Sequence, residues 1–129
     1  MPKLNRMPAT RVVANAAALD LLGAGESLVL RFAPDEAWIS PPLNEISKVL
    51  AKDSYAIIIA DSGYAGVWLA TDEALDFLER NCEWEIPAER PAFAQGAVAG
   101  VPTKLWLEPE RVLFLVPAPY ATDFEERLA

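Results

Sequence analysis

The chain has 129 residues, of which 53% are hydrophobic, and it carries a formal net charge of −8. This length and apolar content predict a single folded domain over residues 1–129 rather than a disordered chain. The 11 lysines and arginines are scattered among 19 acids, so the sequence lacks the concentrated positive surface that nucleic-acid binding requires. The apolar run AAALDLLGAG is too short for a membrane span and is interrupted by Asp20.

The lack of histidine and the single cysteine limit which catalytic and metal-binding groups the chain can supply. Histidine does not occur, and cysteine occurs once, at Cys82. Ser-His-acid and Cys-His catalysis are therefore excluded, and zinc is disfavoured because one cysteine cannot replace imidazole ligands. A lone cysteine forms no intramolecular disulfide, which suits a reducing compartment. We therefore expect a soluble, cytoplasmic protein without catalytic residues or a metal site of its own.

The first half of the chain alternates short strands with short helices. The predicted elements are a loose tail at 1–10, a helix over 16–22 capped by Asn15 and ended by Gly23 and Gly25, a hairpin of strands 28–32 and 37–40, and a helix over 43–52 opened by Pro41 and Pro42. In the last of these, Leu43, Ile46, Val49 and Leu50 fall on one face.

The second half begins with YAIIIA at 55–60, the most β-branched run, which predicts a central strand covered on both sides. The elements predicted after it are a return strand over 64–70, a helix capped by Thr71 and ending near Asn81, a loop over 83–92, a hairpin over 93–107 with its turn at 100–102, a strand over 112–116, and a helix over 123–128 capped by Thr122. This order indicates an α+β fold, mainly an antiparallel sheet with helices packed on one face.

Few side chains stand out as candidate sites. Cys82 follows a helix C-terminus and precedes an acid, so we interpret it as a packed, inert thiol. The acidic pairs lie in turns and first helical turns, where solvation and the helix dipole explain them. Trp84 lies in a Glu- and Pro-rich loop beside Phe93, where an exposed aromatic would suit a protein interface. Because tryptophan is mostly buried on average, burial in the core or anchoring of the loop is favoured over an interface for Trp84.

Four segments of the chain resemble the gamma subunit of heterotetrameric sarcosine oxidase. They are LRFAPDEAWIS (30–40), YAIIIADSGYAGVWLATDEALDFLERNCEWEI (55–86), FAQGAVAGVPTKLWL (93–107) and FLVPAPYATDFEERL (114–128). Their order and spacing are similar to that family over roughly residues 28–129. The chain departs from the family pattern at Gly96, where the family has Thr, at Ala118, where it has Arg, and at Thr71-Asp72, where it has Gly-Pro.

The resemblance implies a truncated form of the folate-binding fold of the glycine-cleavage T protein. It also implies a non-catalytic small subunit that binds no cofactor itself and packs against larger flavin- and folate-dependent subunits, with Trp84 and Phe93 as candidate interface residues. Two alternatives stay open. One is a stand-alone folate-binding module, for which Asp61 is the acid to inspect, and the other is a homo-oligomer whose edge strands pair between copies.

Overall fold

The computed structural model describes residues 2–22, 27–43 and 47–129. The elements in these residues are β1 (Asn5–Arg6), β2 (Ala9–Val13), α1 (Ala16–Leu19), β3 (Leu28–Ala33), β4 (Glu36–Ser40), α2 (Ser47–Lys52), β5 (Ile57–Asp61), β6 (Tyr64–Ala70), α3 (Thr71–Asn81), β7 (Ala92–Val98), β8 (Val101–Leu107), β9 (Arg111–Pro117), a 3₁₀ turn (Ala118–Tyr120) and α4 (Ala121–Leu128). The strands form two antiparallel sheets. The prediction of an α+β fold built on antiparallel pairing is confirmed.

The chain divides into two compact units, Met1–Arg6 with Gly63–Ala129, and Met7–Ser62. We call them the five-stranded unit and the four-stranded unit after their sheets. The single domain over residues 1–129 stays a prediction. The strand over 64–70, predicted to run back beside 55–60, does not pair with β5, because β5 and β6 belong to different sheets.

The five-stranded unit has the strand order β1-β6-β9-β8-β7. Side chains alternate between the two faces of a strand, and one face of this sheet carries the core side chains Val98 of β7, Leu105 of β8 and Phe114 of β9. Helices α3 and α4 pack on that face through Phe77, Leu78 and Phe124. The Phe77 ring makes edge contacts with Phe114 and Phe124, at centroid distances of 5.8 and 5.7 Å. The predicted arrangement of helices on one face therefore holds for this sheet.

The four-stranded unit has the order β3-β4-β2-β5. Its core joins Val12, Ala37 and Ile39 from the sheet to Leu19 of α1 and Val49 of α2. Asn15 caps α1 as predicted, since its Oδ1 accepts a hydrogen bond from the Ala18 amide at 2.8 Å.

Two predictions about individual strands are wrong. Residues 1–10 are not a loose tail, because β1 pairs with β6 and Ala9–Val13 forms an interior strand between β4 and β5. The run 55–60 is not a central strand, because β5 lies at the edge of its sheet and Ile57 and Ile59 are 56% and 51% exposed.

Several local predictions also need correction. Neither Thr71 nor Thr122 caps its helix. The N-caps are Ala70 and Tyr120, and the Thr71 hydroxyl donates to the Pro109 carbonyl instead.

Turn and helix boundaries shift as well. The turn of the β7–β8 hairpin lies at Ala99 and Gly100, both with positive φ, which is the two-residue turn that suits the twist of a hairpin. Pro102, expected in the turn, pairs with Ala97 in the ladder. Helix α2 begins at Ser47 in the described residues, with Leu43 outside it and Leu50 38% exposed. Ile46, Gly23 and Gly25 lie outside the described residues.

Candidate interaction surfaces

Trp84 is fixed against the helix-bearing face of the five-stranded sheet. Its indole Nε1 donates to the Ala97 carbonyl at 2.8 Å. The ring lies directly over Gly96, where an added Cβ would come within 2.6 Å of Cε2, a distance that real Cβ atoms do not adopt. The absence of a side chain at Gly96 thus makes room for Trp84. This explains why glycine, which has no Cβ, occupies position 96.

A shallow apolar groove runs between helix α3 and the segment that carries Trp84. It has a volume of about 230 Å³, and the residues that line it are Leu75, Leu78, Glu79, Cys82, Trp84 and Ile86. We call it the Trp84 groove. Leu75 on its rim is 40% exposed, and Glu79 is the one charged residue among those lining it.

Cys82 lies in the wall of this groove. Its side chain is partly buried against the core, and its Sγ donates to the Trp84 carbonyl at 3.2 Å. The thiol therefore helps to hold the Trp84 segment against the end of α3.

Phe93 and Trp84 do not form one patch. Trp84 packs over Gly96 on the helix-bearing face, whereas Phe93, three residues earlier in β7, points to the opposite face because side chains alternate along a strand. Phe93 is half-buried there and pairs with Trp106 across the β7–β8 ladder. The two residues that sequence reasoning placed together thus belong to separate surfaces of one unit.

An ordered cation–aromatic cluster lies on the same face as Phe93. The carboxylate of Glu108 accepts hydrogen bonds from Trp106 Nε1 and Arg111 Nε, both at 2.9 Å. The Arg111 guanidinium stacks on the Trp68 ring, 3.7 Å from its centroid. Sequence reasoning missed this cluster, since the contact with Trp68 depends on the pairing of β6 with β9.

A larger cleft lies beside the β7–β8 turn. Its volume is about 470 Å³, and the residues that line it are Tyr64, Gln95, Gly96, Ala97, Gly100, Pro102, Thr103, Lys104 and Pro117. Lys104 Nζ donates to Gln95 Oε1 at 2.6 Å. These described lining residues supply an ammonium, an amide, the hydroxyls of Tyr64 and Thr103 and apolar surface, and none of them carries a carboxylate.

Asp61, the acid singled out for folate binding, forms an ion pair within the four-stranded unit. It ends β5, its side chain is 12% exposed, and its carboxylate lies 2.9 Å from Arg11 Nη2. Arg11 also lies 3.6 Å from Glu36 through Nε, so one guanidinium joins two carboxylates of this unit. Asp61 is not among the residues that line the 470 Å³ cleft.

Strand β5 presents exposed apolar side chains at the edge of the four-stranded sheet. Ile57 and Ile59 alternate with the half-buried Ile58, and Tyr55 just before the strand is 92% exposed. Two exposed isoleucines on one edge strand are unusual, because soluble proteins normally blunt such edges.

The described part of the chain holds no helix that is both long and apolar enough to cross a membrane. Among residues 2–22, 27–43 and 47–129, no three Cys, Asp or Glu side chains gather in a group that could hold a metal ion. Compared with known protein families and with curated proteins, the chain matches no family model and no curated sequence.

Proposed function

We propose that the chain is a non-catalytic small subunit, similar to the sarcosine oxidase gamma subunit, that docks onto a larger flavin- and folate-dependent, amine-oxidising enzyme. The Trp84 groove is the observation that carries this proposal. Its lining is apolar except for Glu79, and it opens at the surface beside the exposed Leu75. When a partner excludes water from an apolar recess of this kind, burial of the apolar surface stabilises the complex.

Trp84 is suited to act as the anchor of such an interface. Tryptophan is enriched among the residues that dominate binding energy, and rigid anchors bind more tightly because less side-chain entropy is lost. Here the indole is held by its hydrogen bond to Ala97 and by contact with Gly96. The ring is therefore in place before any partner arrives.

The size of the groove favours a protein partner over a cofactor. Pockets for cofactors and drug-sized ligands usually measure about 300–1,000 Å³. The Trp84 groove, at about 230 Å³, instead suits one or two apolar side chains of a partner. In this proposal the partner subunits hold the flavin and the folate, and this chain contributes contact surface in the cytoplasm.

The runner-up function is a stand-alone folate-binding module, which the cleft beside the β7–β8 turn favours by its volume of about 470 Å³. Lys104 in its lining could pair with the carboxylates of a folate tail. Calorimetry with tetrahydrofolate tests this function. Heat that saturates in the wild type and is lost in Lys104→Met supports it, and no heat at high ligand concentration excludes it.

Co-purification from the native cell tests the leading function. A tagged chain should elute in fixed stoichiometry with a larger protein that shows the visible absorbance of a flavin. The chain freed from that complex should show neither flavin absorbance nor amine oxidation. Elution of the chain without any large flavoprotein partner would contradict the proposal.

A further inference from the structure

The edge of β5 lacks the features that usually prevent strands from pairing between molecules. Natural edges are protected by charge, proline, bulges or very short strands. In the described residues β5 pairs with β2 alone, and residues 55–60 carry no charge and no proline. Asp61, the one charged residue of the strand, is held by Arg11 within the same unit.

The other three sheet edges do not combine these properties. Strand β1 is two residues long, and β3 carries Arg31 with a register shift beside it. Strand β7 exposes Gln95 and Ala97, neither of which is a large apolar side chain. The apolar, regular edge of β5 is therefore distinctive among the edges described.

We propose that two copies of this chain pair through β5, antiparallel, about a two-fold axis at Ile58. This register places Ile57 opposite Ile59 of the second copy and Ile59 opposite its Ile57. The four exposed isoleucines then lie together on one face of a continuous sheet. A register centred on Ile59 would instead place Ile57 opposite Asp61, next to the Asp61–Arg11 ion pair.

The geometry of the sheet permits this assembly. Two four-stranded sheets joined at β5 make one sheet of eight strands, within the size that twisted open sheets reach. A two-fold axis requires a self-complementary surface, and the uncharged segment 55–60 opposes no like charges in this register. The dimer contact uses residues of the four-stranded unit, whereas the residues that line the Trp84 groove belong to the five-stranded unit.

Charge predicts how the dimer responds to salt. Each copy carries a net charge of −8, so two copies repel each other over a distance that salt shortens. The contact itself is apolar. We therefore expect the dimer to become tighter as salt concentration rises, the reverse of an association driven by opposite charges.

Sedimentation velocity of the purified full chain tests the proposal. Dimer should appear between roughly 10 µM and 1 mM, the range expected for a small interface. Ile59→Lys should weaken association by more than about tenfold, because it replaces two of the four clustered isoleucines with like charges that lie diagonally across the contact. The matched control is Leu21→Lys, which adds the same charge at a side chain that is 51% exposed and lies outside β5.

Hydrogen exchange of the wild type gives a second readout that does not depend on a variant. Amides of residues 57–61 should exchange more slowly at high protein concentration than at low concentration. A chain that stays monomeric over this range would overturn the proposal. So would a dimer in which exchange at 57–61 is independent of concentration, or in which both lysine variants associate like the wild type. None of these results bears on binding of a flavoprotein to the Trp84 groove.

Discussion

Replacing Gly96 with alanine should dislodge Trp84. The new Cβ would lie 2.6 Å from Cε2 and 2.7 Å from Nε1, about 1 Å inside the normal contact distance. A ring displaced by that amount would lengthen the 2.8 Å bond from Nε1 to the Ala97 carbonyl beyond hydrogen-bonding range. The substitution therefore tests whether Gly96 exists to receive the indole.

The expected cost follows from these contacts. Forcing an extra methyl group into a packed site costs about 1–3 kcal/mol, and the lost hydrogen bond costs about 1 kcal/mol. Alanine returns about 0.5–1 kcal/mol because it is less flexible than glycine in the unfolded chain. We expect Gly96→Ala to lower the free energy of unfolding by about 2 kcal/mol.

Urea unfolding followed by far-UV circular dichroism measures this cost in a double-mutant cycle with Trp84→Ala. Once the indole is absent, Gly96→Ala should be neutral or slightly stabilising, so the coupling should be about 2 kcal/mol. An equal cost in both backgrounds, or no cost in the wild-type background, would mean that Gly96 does not make room for the indole.

Three further substitutions test the fold by thermal or urea unfolding. Phe124→Ala should cost about 3–5 kcal/mol, because this ring is fully buried against Phe77, and a cost below about 1 kcal/mol would contradict its place in the core. Asn15→Ala should cost about 1 kcal/mol through loss of the bond from the Ala18 amide, whereas no change would mean that the cap is not formed. Ala99→Gly should stabilise by about 0.5–1 kcal/mol by relieving a φ of 52° in the hairpin turn, and destabilisation would argue against that turn.

Local sequence signals predicted most elements, because caps, turns and apolar periodicity act over a few residues. The Asn15 cap, the β3–β4 hairpin, helix α3 and strand β9 all lie close to their predicted positions. The caps assigned to Thr71 and Thr122 were wrong, since alanine and tyrosine take those positions without a side-chain bond.

Pairing between distant segments could not be predicted in the same way. The segment YAIIIA has the composition of a buried strand, yet its burial depends on how many neighbours it has, and only β2 pairs with it in the described residues. The sequence did not predict strand β2, because its first residues, Ala9 and Thr10, fall within the segment 1–10 that was expected to be a loose tail.

The contacts of the candidate interface residues Trp84 and Phe93 could not be predicted from local sequence either. The loop position of Trp84 was evident from sequence, but its contact with Gly96 joins residues 12 positions apart through no local pattern. Phe93 lies close to Trp84 in sequence, and the alternation of β7 nevertheless places it on the opposite face. Sequence distance alone could not separate these two surfaces.

Docking of a flavoprotein at the Trp84 groove can be measured as the ratio of bound flavin to chain after co-purification from the native cell, compared between the wild type and two variants. Leu75→Glu adds a charge at the rim of the Trp84 groove, and Leu21→Glu adds the same charge at a side chain of similar exposure in the other unit. Flavin should co-elute with the wild type and with Leu21→Glu and should be lost with Leu75→Glu. Absence of flavin from the wild type, or an equal flavin ratio in all three proteins, would contradict docking at the Trp84 groove.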